Sequence, residues 1–74
     1  MLDKESPVPL YYQLAELLRE RIVAGEYKAG EQLPSERELS EQANISRMTA
    51  RQAVAYLERQ GVLVVKPGLG TYVV

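Results

Sequence analysis

Two serine-led helix starts, separated by one short breaker, fix the middle of this chain. Ser35-Glu36-Arg37-Glu38 has the form of a capping box, in which the Ser35 hydroxyl accepts from the Glu38 backbone N–H and the Glu38 carboxylate returns to the Ser35 N–H. The helix it starts is expected to run to Ala43, with Leu39 and Ala43 inward. Asn44 then suits the left-handed conformation that ends a helix. Ser46 is the next N-cap, so Asn44-Ile45 becomes a tight connection between two helices. From Arg47 to Gln60 the apolar residues Ala50, Ala53, Val54 and Leu57 recur at i, i+3, i+4 and i+7, and Gly61 closes the helix. Met48, Gln52, Ala55 and Arg59 fall opposite that stripe, with Thr49 and Arg51 on its flanks.

The flanks complete the architecture. Leu10, Leu14, Leu17, Leu18 and Ile22 lie at helical spacing and predict an amphipathic helix over Leu10–Ala24, with Pro9 in its first turn and Gly25 as its C-terminal cap. Tyr11 and Tyr12 are adjacent and cannot share one face, so one is expected to pack and the other to meet solvent. Gln32-Leu33, between Gly30 and Pro34, is too short for a helix and reads as an edge strand. Val62–Val65 and Thr71–Val74 are β-rich runs around the turn Lys66-Pro67-Gly68-Leu69-Gly70 and predict a closing hairpin. The expected fold is mainly α with a small β-hairpin: a winged helix-turn-helix over residues 9–74, made of three helices, a short edge strand and a C-terminal β-wing. Residues 1–8 read as a flexible N-terminal arm.

Composition excludes much else. With 74 residues there is room for one small core, and with no Cys and no His the usual disulfide, zinc and iron–sulfur frameworks are ruled out, as are nucleophile arrangements that need His. No enzyme activity, no cofactor and no metal is expected. No apolar run approaches the ~20 residues of a membrane span, and the start lacks the pattern of a secretory signal, so no membrane partner and a cytoplasmic location are expected. Net charge is −1, yet it is unevenly spread. Residues 1–46 hold five basic groups against nine acidic ones, whereas from residue 47 onward Arg47, Arg51, Arg59 and Lys66 face Glu58 alone. Phosphates respond to the field within a Debye length of ~8–10 Å, so a polarised domain can bind DNA despite an acidic sum.

Three motifs in order, Leu33-Pro34-Ser35-Glu36-Arg37-Glu38-Leu39-Ser40-Glu41, Ser46-Arg47-Met48-Thr49-Ala50-Arg51-Gln52-Ala53 and Gly68-Leu69-Gly70-Thr71-Tyr72-Val73, closely resemble the N-terminal domain of GntR-family transcription regulators. The opening Pro9-Leu10-Tyr11-Tyr12-Gln13-Leu14 resembles the HutC-type branch. The resemblance implies DNA contacts from the arginine of the Glu-Arg-Glu segment, from both arginines of the second motif and from the glycine-rich wing tip, which are Arg37, Arg47, Arg51, Gly68 and Gly70 here. It also implies a homodimer and a larger C-terminal effector-binding and dimerising domain, which is not part of this chain. Two positions depart from the pattern. Ala50 stands where Val or Leu is more usual, and Leu69 occupies a wing tip where many relatives carry Lys or Arg, leaving Lys66 to supply charge from the near side of the turn.

The expected function is sequence-specific binding of double-stranded DNA at a two-fold related operator, as the recognition domain of a transcription repressor. One head buries only about 600–1,000 Å² on DNA, so two heads acting together supply the usual specific affinity. Arg47 and Arg51, one turn apart, can each donate two parallel hydrogen bonds to guanine or phosphate beside an anion-favouring helix N-terminus at Ser46. Thr49 and Met48 can meet a thymine methyl and Gln52 can pair with adenine. Arg37 reaches either phosphate or Glu41 at i+4. Ser35 lies at the start of Arg37's helix. Lys66, Gly68, Leu69, Gly70 and Thr71 complete the set from the wing, where a tip without side chains lets backbone N–H groups approach the sugar-phosphate surface. Tyr56 and Tyr72 read as packing residues. The alternative is a winged-helix module for protein–protein contact, which requires an apolar exposed face on the third helix.

Overall fold

The computed structural model describes residues 2–74; Met1, the first residue of the expected arm, lies outside them. Helix α1 spans Leu10–Val23, α2 Glu36–Ala43 and α3 Arg47–Arg59, followed by strands β1, Leu63–Lys66, and β2, Gly70–Val73. Order and type of these elements match the expectation, with ends displaced by a residue. Pro9 is the N-cap of α1, outside the helix, and its carbonyl accepts from Tyr12 and Gln13 N–H, both at 3.1 Å.

Each helix ends where a left-handed residue lets the chain turn back on its last carbonyls. After α1, Gly25 (φ 87°) allows Glu26 N–H to reach Arg21 C=O at 2.9 Å; after α3, Gly61 (φ 78°) allows Val62 N–H to reach Leu57 C=O at 2.9 Å. Asn44, at φ 55°, does the same for α2, and Ile45 N–H returns to Ser40 C=O at 3.0 Å. The cap on α3 explains why β1 begins at Leu63: Val62 gives its N–H to the helix, although its carbonyl still accepts from Val74.

The core lies where the three helices meet the inner face of the hairpin. Leu14 and Leu18 of α1, Leu39 of α2, Val54 and Leu57 of α3, Leu63 and Val73 of the hairpin and the connecting Leu33 are all buried. Each is worth roughly 1.5–3 kcal/mol of transfer free energy. Ala15, Ala50 and Ala53 are fully buried as well, which brings α1 and α3 close together. Ala15 was not marked by the spacing of the large apolar residues. Leu10, Leu17 and Ile22 are only half-buried. Both N-terminal tyrosines meet Tyr56, Tyr11 at 5.9 Å and Tyr12 at 5.7 Å between ring centroids, each edge-on. Tyr12 is the more exposed of the two, and the Glu16 carboxylate one turn on pushes its phenol above the ordinary tyrosine range.

Two expectations are revised. The edge strand at Gln32-Leu33 is a single β-bridge, Gln32 to Tyr72, flanked by Leu33 N–H to Thr71 C=O at 2.8 Å and Val73 N–H to Glu31 C=O at 2.9 Å. Gly30 and Pro34 bracket too few residues for a ladder, and Pro34 has no N–H to extend one. The segment preceding α1, read as a loose arm, is tied to that helix at Asp3 and Val8. The Gln13 amide accepts from Asp3 N–H at 2.8 Å and donates to Asp3 C=O at 2.9 Å and Val8 C=O at 2.8 Å, while Leu2 packs on the core.

Candidate nucleic-acid interface

The interface is built on two capped helix starts. Ser35 Oγ accepts from Glu38 N–H at 3.1 Å and Glu38 Oε1 accepts from Ser35 N–H at 2.9 Å, completing the capping box. Ser35 holds the Glu38 carboxyl below the ordinary glutamate range, first through its backbone N–H and then through its hydroxyl. At α3, Ser46 Oγ accepts from Thr49 N–H at 3.0 Å and lies 2.8 Å from Thr49 Oγ1. The Thr49 hydroxyl is therefore engaged in the cap, and Thr49 is half-buried. The first turn of α3 carries no acidic residue and presents backbone N–H groups and the positive end of the dipole, which favour an anion, whereas that of α2 already holds Glu36 and Glu38.

The first turn of α2, the first residue of α3 and the wing together line an open groove of about 530 Å³. Arg37 enters it from α2, Arg47 from α3 and Lys66 from β1, so three separate elements each deliver a cation. Arg37 Nε lies 3.8 Å from Glu41, an exposed pair that costs little to break. Arg47 and Lys66 form no ion pair with any described residue. Lys66 Nζ instead sits 4.8 Å from the centre of the Tyr72 ring, an arrangement that leaves the ammonium's outer hydrogens free.

Arg51 is handled differently. Its Nε donates to Glu36 Oε1 at 3.2 Å across the α2–α3 corner, with the Glu36 side chain 28% exposed and that of Arg51 66% exposed. A guanidinium held through Nε keeps its two terminal nitrogens as a fork, the shape that suits guanine or phosphate. Spacing along α3 placed Arg51 at the surface but gave no sign of Glu36, because their contact joins two helices.

The wing turns through Pro67 and Gly68. Leu69 N–H donates to Lys66 C=O at 2.9 Å, and Gly68 has φ 77°, the conformation of the third residue in a type II turn. Lys66 pairs with Gly70, so the turn is tighter than the five residues read from sequence. Leu69 stands exposed at the tip. Thr71 does not: at 9% exposure its side chain is buried, and only the groove-side edge of this residue remains accessible. The alternation of β2 sends Thr71 and Val73 to the core face, so Thr71 reaches the groove only by that edge.

The groove therefore brings together Ser35, Arg37, Arg47, Lys66 and the Gly68–Gly70 tip. Ser46, the N-cap of α3, and Met48, Thr49, Arg51 and Gln52 on that helix lie outside it. Met48 is 61% exposed, whereas Gln52 faces a second shallow depression of about 340 Å³ shared with Tyr11 and Arg59. Sequence reasoning missed Gln32, whose Nε2 donates to Leu69 C=O at 3.0 Å, and the support that Tyr72 gives Lys66. Pairing across β2 is the signal that joins them, because Tyr72 lies between Val64 and Gln32.

Known proteins of like sequence and shape give the arrangement a context. Residues 10–73 match the family model described as bacterial regulatory proteins, gntR family. The chain is 49% identical over 72 residues to the HTH-type transcriptional repressor NagR of Bacillus subtilis, covering 97% of this chain and 30% of that protein. It is 50% identical over 66 residues to the HTH-type transcriptional regulator Rv0792c of Mycobacterium tuberculosis, covering 89% of this chain and 24% of that one. The chain thus spans less than a third of the length of these curated relatives. Among solved structures it is similar to AraR(DBD) in complex with operator ORX1, with a TM-score of 0.91 at 33% identity, over 100% of this chain and 92% of that one. It is also similar to YtrA from Sulfolobus acidocaldarius, a GntR-family transcription factor, with a TM-score of 0.87 at 39% identity, over 100% of this chain and 62% of that one.

Proposed function

The chain belongs to the gntR family of bacterial regulatory proteins, and from that premise we propose that it is the operator-reading head of a cytoplasmic transcription repressor of the HutC-type branch. The observation that carries the reading is the convergence of Arg37, Arg47 and Lys66, from three elements, on one open groove at the starts of α2 and α3. In this reading α3 enters the major groove by its first turns. Arg51, steadied by Glu36, reads a base edge, with Met48, Thr49 and Gln52 alongside. Arg37, Arg47 and the capped starts at Ser35 and Ser46 seat the sugar-phosphate backbone, and the wing follows it with Lys66 and the tip Gly68-Leu69-Gly70. Two such heads act on a two-fold related site, joined by a C-terminal domain that also takes a small effector.

The exposed face of α3 supports DNA over a protein partner, because Arg47, Arg51, Gln52 and Arg59 interrupt the apolar surface that docking a protein would need. A salt titration of binding to mixed-sequence duplex DNA tests this. Neutralising about three phosphates per head, by Arg37, Arg47 and Lys66, gives log affinity a slope against log salt of about −3. Absence of salt-sensitive binding, even at low ionic strength and high protein concentration, refutes the reading.

A further inference from the structure

A hairpin tip is useful to a binding surface only if its peptide planes are held, and a two-stranded ribbon does not hold its own end. Beyond Leu63 and Val64, the run Val65 to Leu69 is exposed, and nothing buried backs it. One side chain, that of Gln32, nevertheless meets the last turn at two points from outside the ribbon's own ladder. Gln32 Nε2 donates to Leu69 C=O at 3.0 Å from the far side of β2. Gly70, at φ 138°, brings its backbone so close that a Cβ there would land on the Gln32 amide nitrogen and within 3.2 Å of its Cδ. Gln32 itself is anchored, since it bridges Tyr72 and the Leu33 N–H is tied to Thr71 C=O.

We propose that Gln32 is the positioning residue of the wing: its side-chain amide clamps the Leu69-Gly70 peptide and so fixes the tip in one conformation before DNA arrives. Gly70 is the complementary half, because only a residue without Cβ leaves room for the clamp. The inference rests on the proposed function insofar as the fixed tip serves DNA binding; the clamp itself does not. Leu69 offers no charge for a phosphate, so this wing depends on shape, and a shape that must be ordered on contact costs affinity.

The test uses Gln32→Met, which keeps length and removes the donor, and Gly70→Ala, which displaces the clamp from the other side. Backbone NMR relaxation on the free proteins reads the tip directly. Gln32→Met should lower the order parameters of Gly68, Leu69 and Gly70 and leave those of α3 unchanged. Affinity for a mixed-sequence duplex of about two helical turns should fall about three- to ten-fold, the worth of one ordered hydrogen bond. Combined with Gly70→Ala, the two losses should be clearly less than additive. An unchanged tip in Gln32→Met, or full additivity, overturns the clamp. A loosened tip with unaltered affinity overturns the link between wing order and binding. Failure of the unsubstituted chain to bind any duplex would instead fall on the proposed function, and the NMR result would still judge the clamp.

Discussion

In the α2–α3 corner every exposed cation stands on a helix whose opposite face is buried. Arg47 and Arg51 are backed by Ala50, Ala53, Val54 and Leu57, and Arg37 by Leu39. In the wing, Lys66 and the tip stand on a ribbon whose outer half is exposed and whose order comes partly from side chains reaching in from elsewhere, Gln32 to Leu69 C=O and Glu58 to Val65 N–H. The corner is thus rigid by construction and suits directional contacts, where a guanidinium displaced slightly loses its bond. The wing is ordered by a few exposed contacts and suits tolerant ones, such as a charge near a phosphate. Under the proposed function, this contrast suits the corner to sequence reading and the wing to general grip.

The strongest way to break the contrast is to remove the corner's backing. Leu57→Ala opens a cavity beneath α3, where Leu57 is fully buried, and is expected to cost about 2–5 kcal/mol, a large share of the ~5 kcal/mol a domain of this size commands. Denaturant unfolding would show it, and DNA binding should fail only where the fold fails. Arg51→Ala leaves the fold intact and should cost on the order of 1–3 kcal/mol on a duplex selected from random DNA, with far less lost on non-specific DNA. Equal losses on both would move Arg51 from base reader to phosphate clamp and would place reading elsewhere in the corner.

The corner was also the part most open to reading from sequence. Ser35, Glu38, Asn44 and Ser46 act on backbone groups within a few residues, so their roles follow from local geometry and the structure places each as expected. What stayed hidden depends on contacts between distant segments. Glu36 meets Arg51 across two helices, Gln32 meets Leu69 across β2, and Gln13 gathers the segment before α1 by reaching back to Asp3 and Val8. The burial of the Thr71 side chain was hidden for a related reason: the motif that contains it marks the wing, whereas burial is set by strand register, which a run of alternating and small residues does not fix.

An intermediate effect sharpens the corner's account. Ser35→Ala removes the α2 cap and should lower stability by about 1 kcal/mol at neutral pH. The cap is also pH-dependent. Glu38 has a folded-state pKa below its unfolded one, so its contribution is complete above the ordinary glutamate value and fades as pH falls through the depressed one. Between roughly pH 5 and 3 the unsubstituted chain should lose stability more steeply than Glu38→Gln does, in thermal melts taken across that range. Parallel curves would mean that the carboxylate adds nothing beyond the serine hydroxyl.

The smallest effect bears on the wing alone. Lys66 is the wing's one cation, held over Tyr72 with no carboxylate partner among the described residues. If the wing grips without reading, Lys66→Ala should weaken binding by a similar factor on selected and mixed-sequence duplexes, and the salt slope should become shallower by about 0.9, the share of one phosphate. A preference between the two duplexes that shifts with Lys66→Ala would give the wing a part in reading, and an unchanged slope would take it off the backbone. Leu69→Lys supplies the converse, since a cation at the tip should steepen the slope by about the same amount while the ranking of duplexes stays with Arg51.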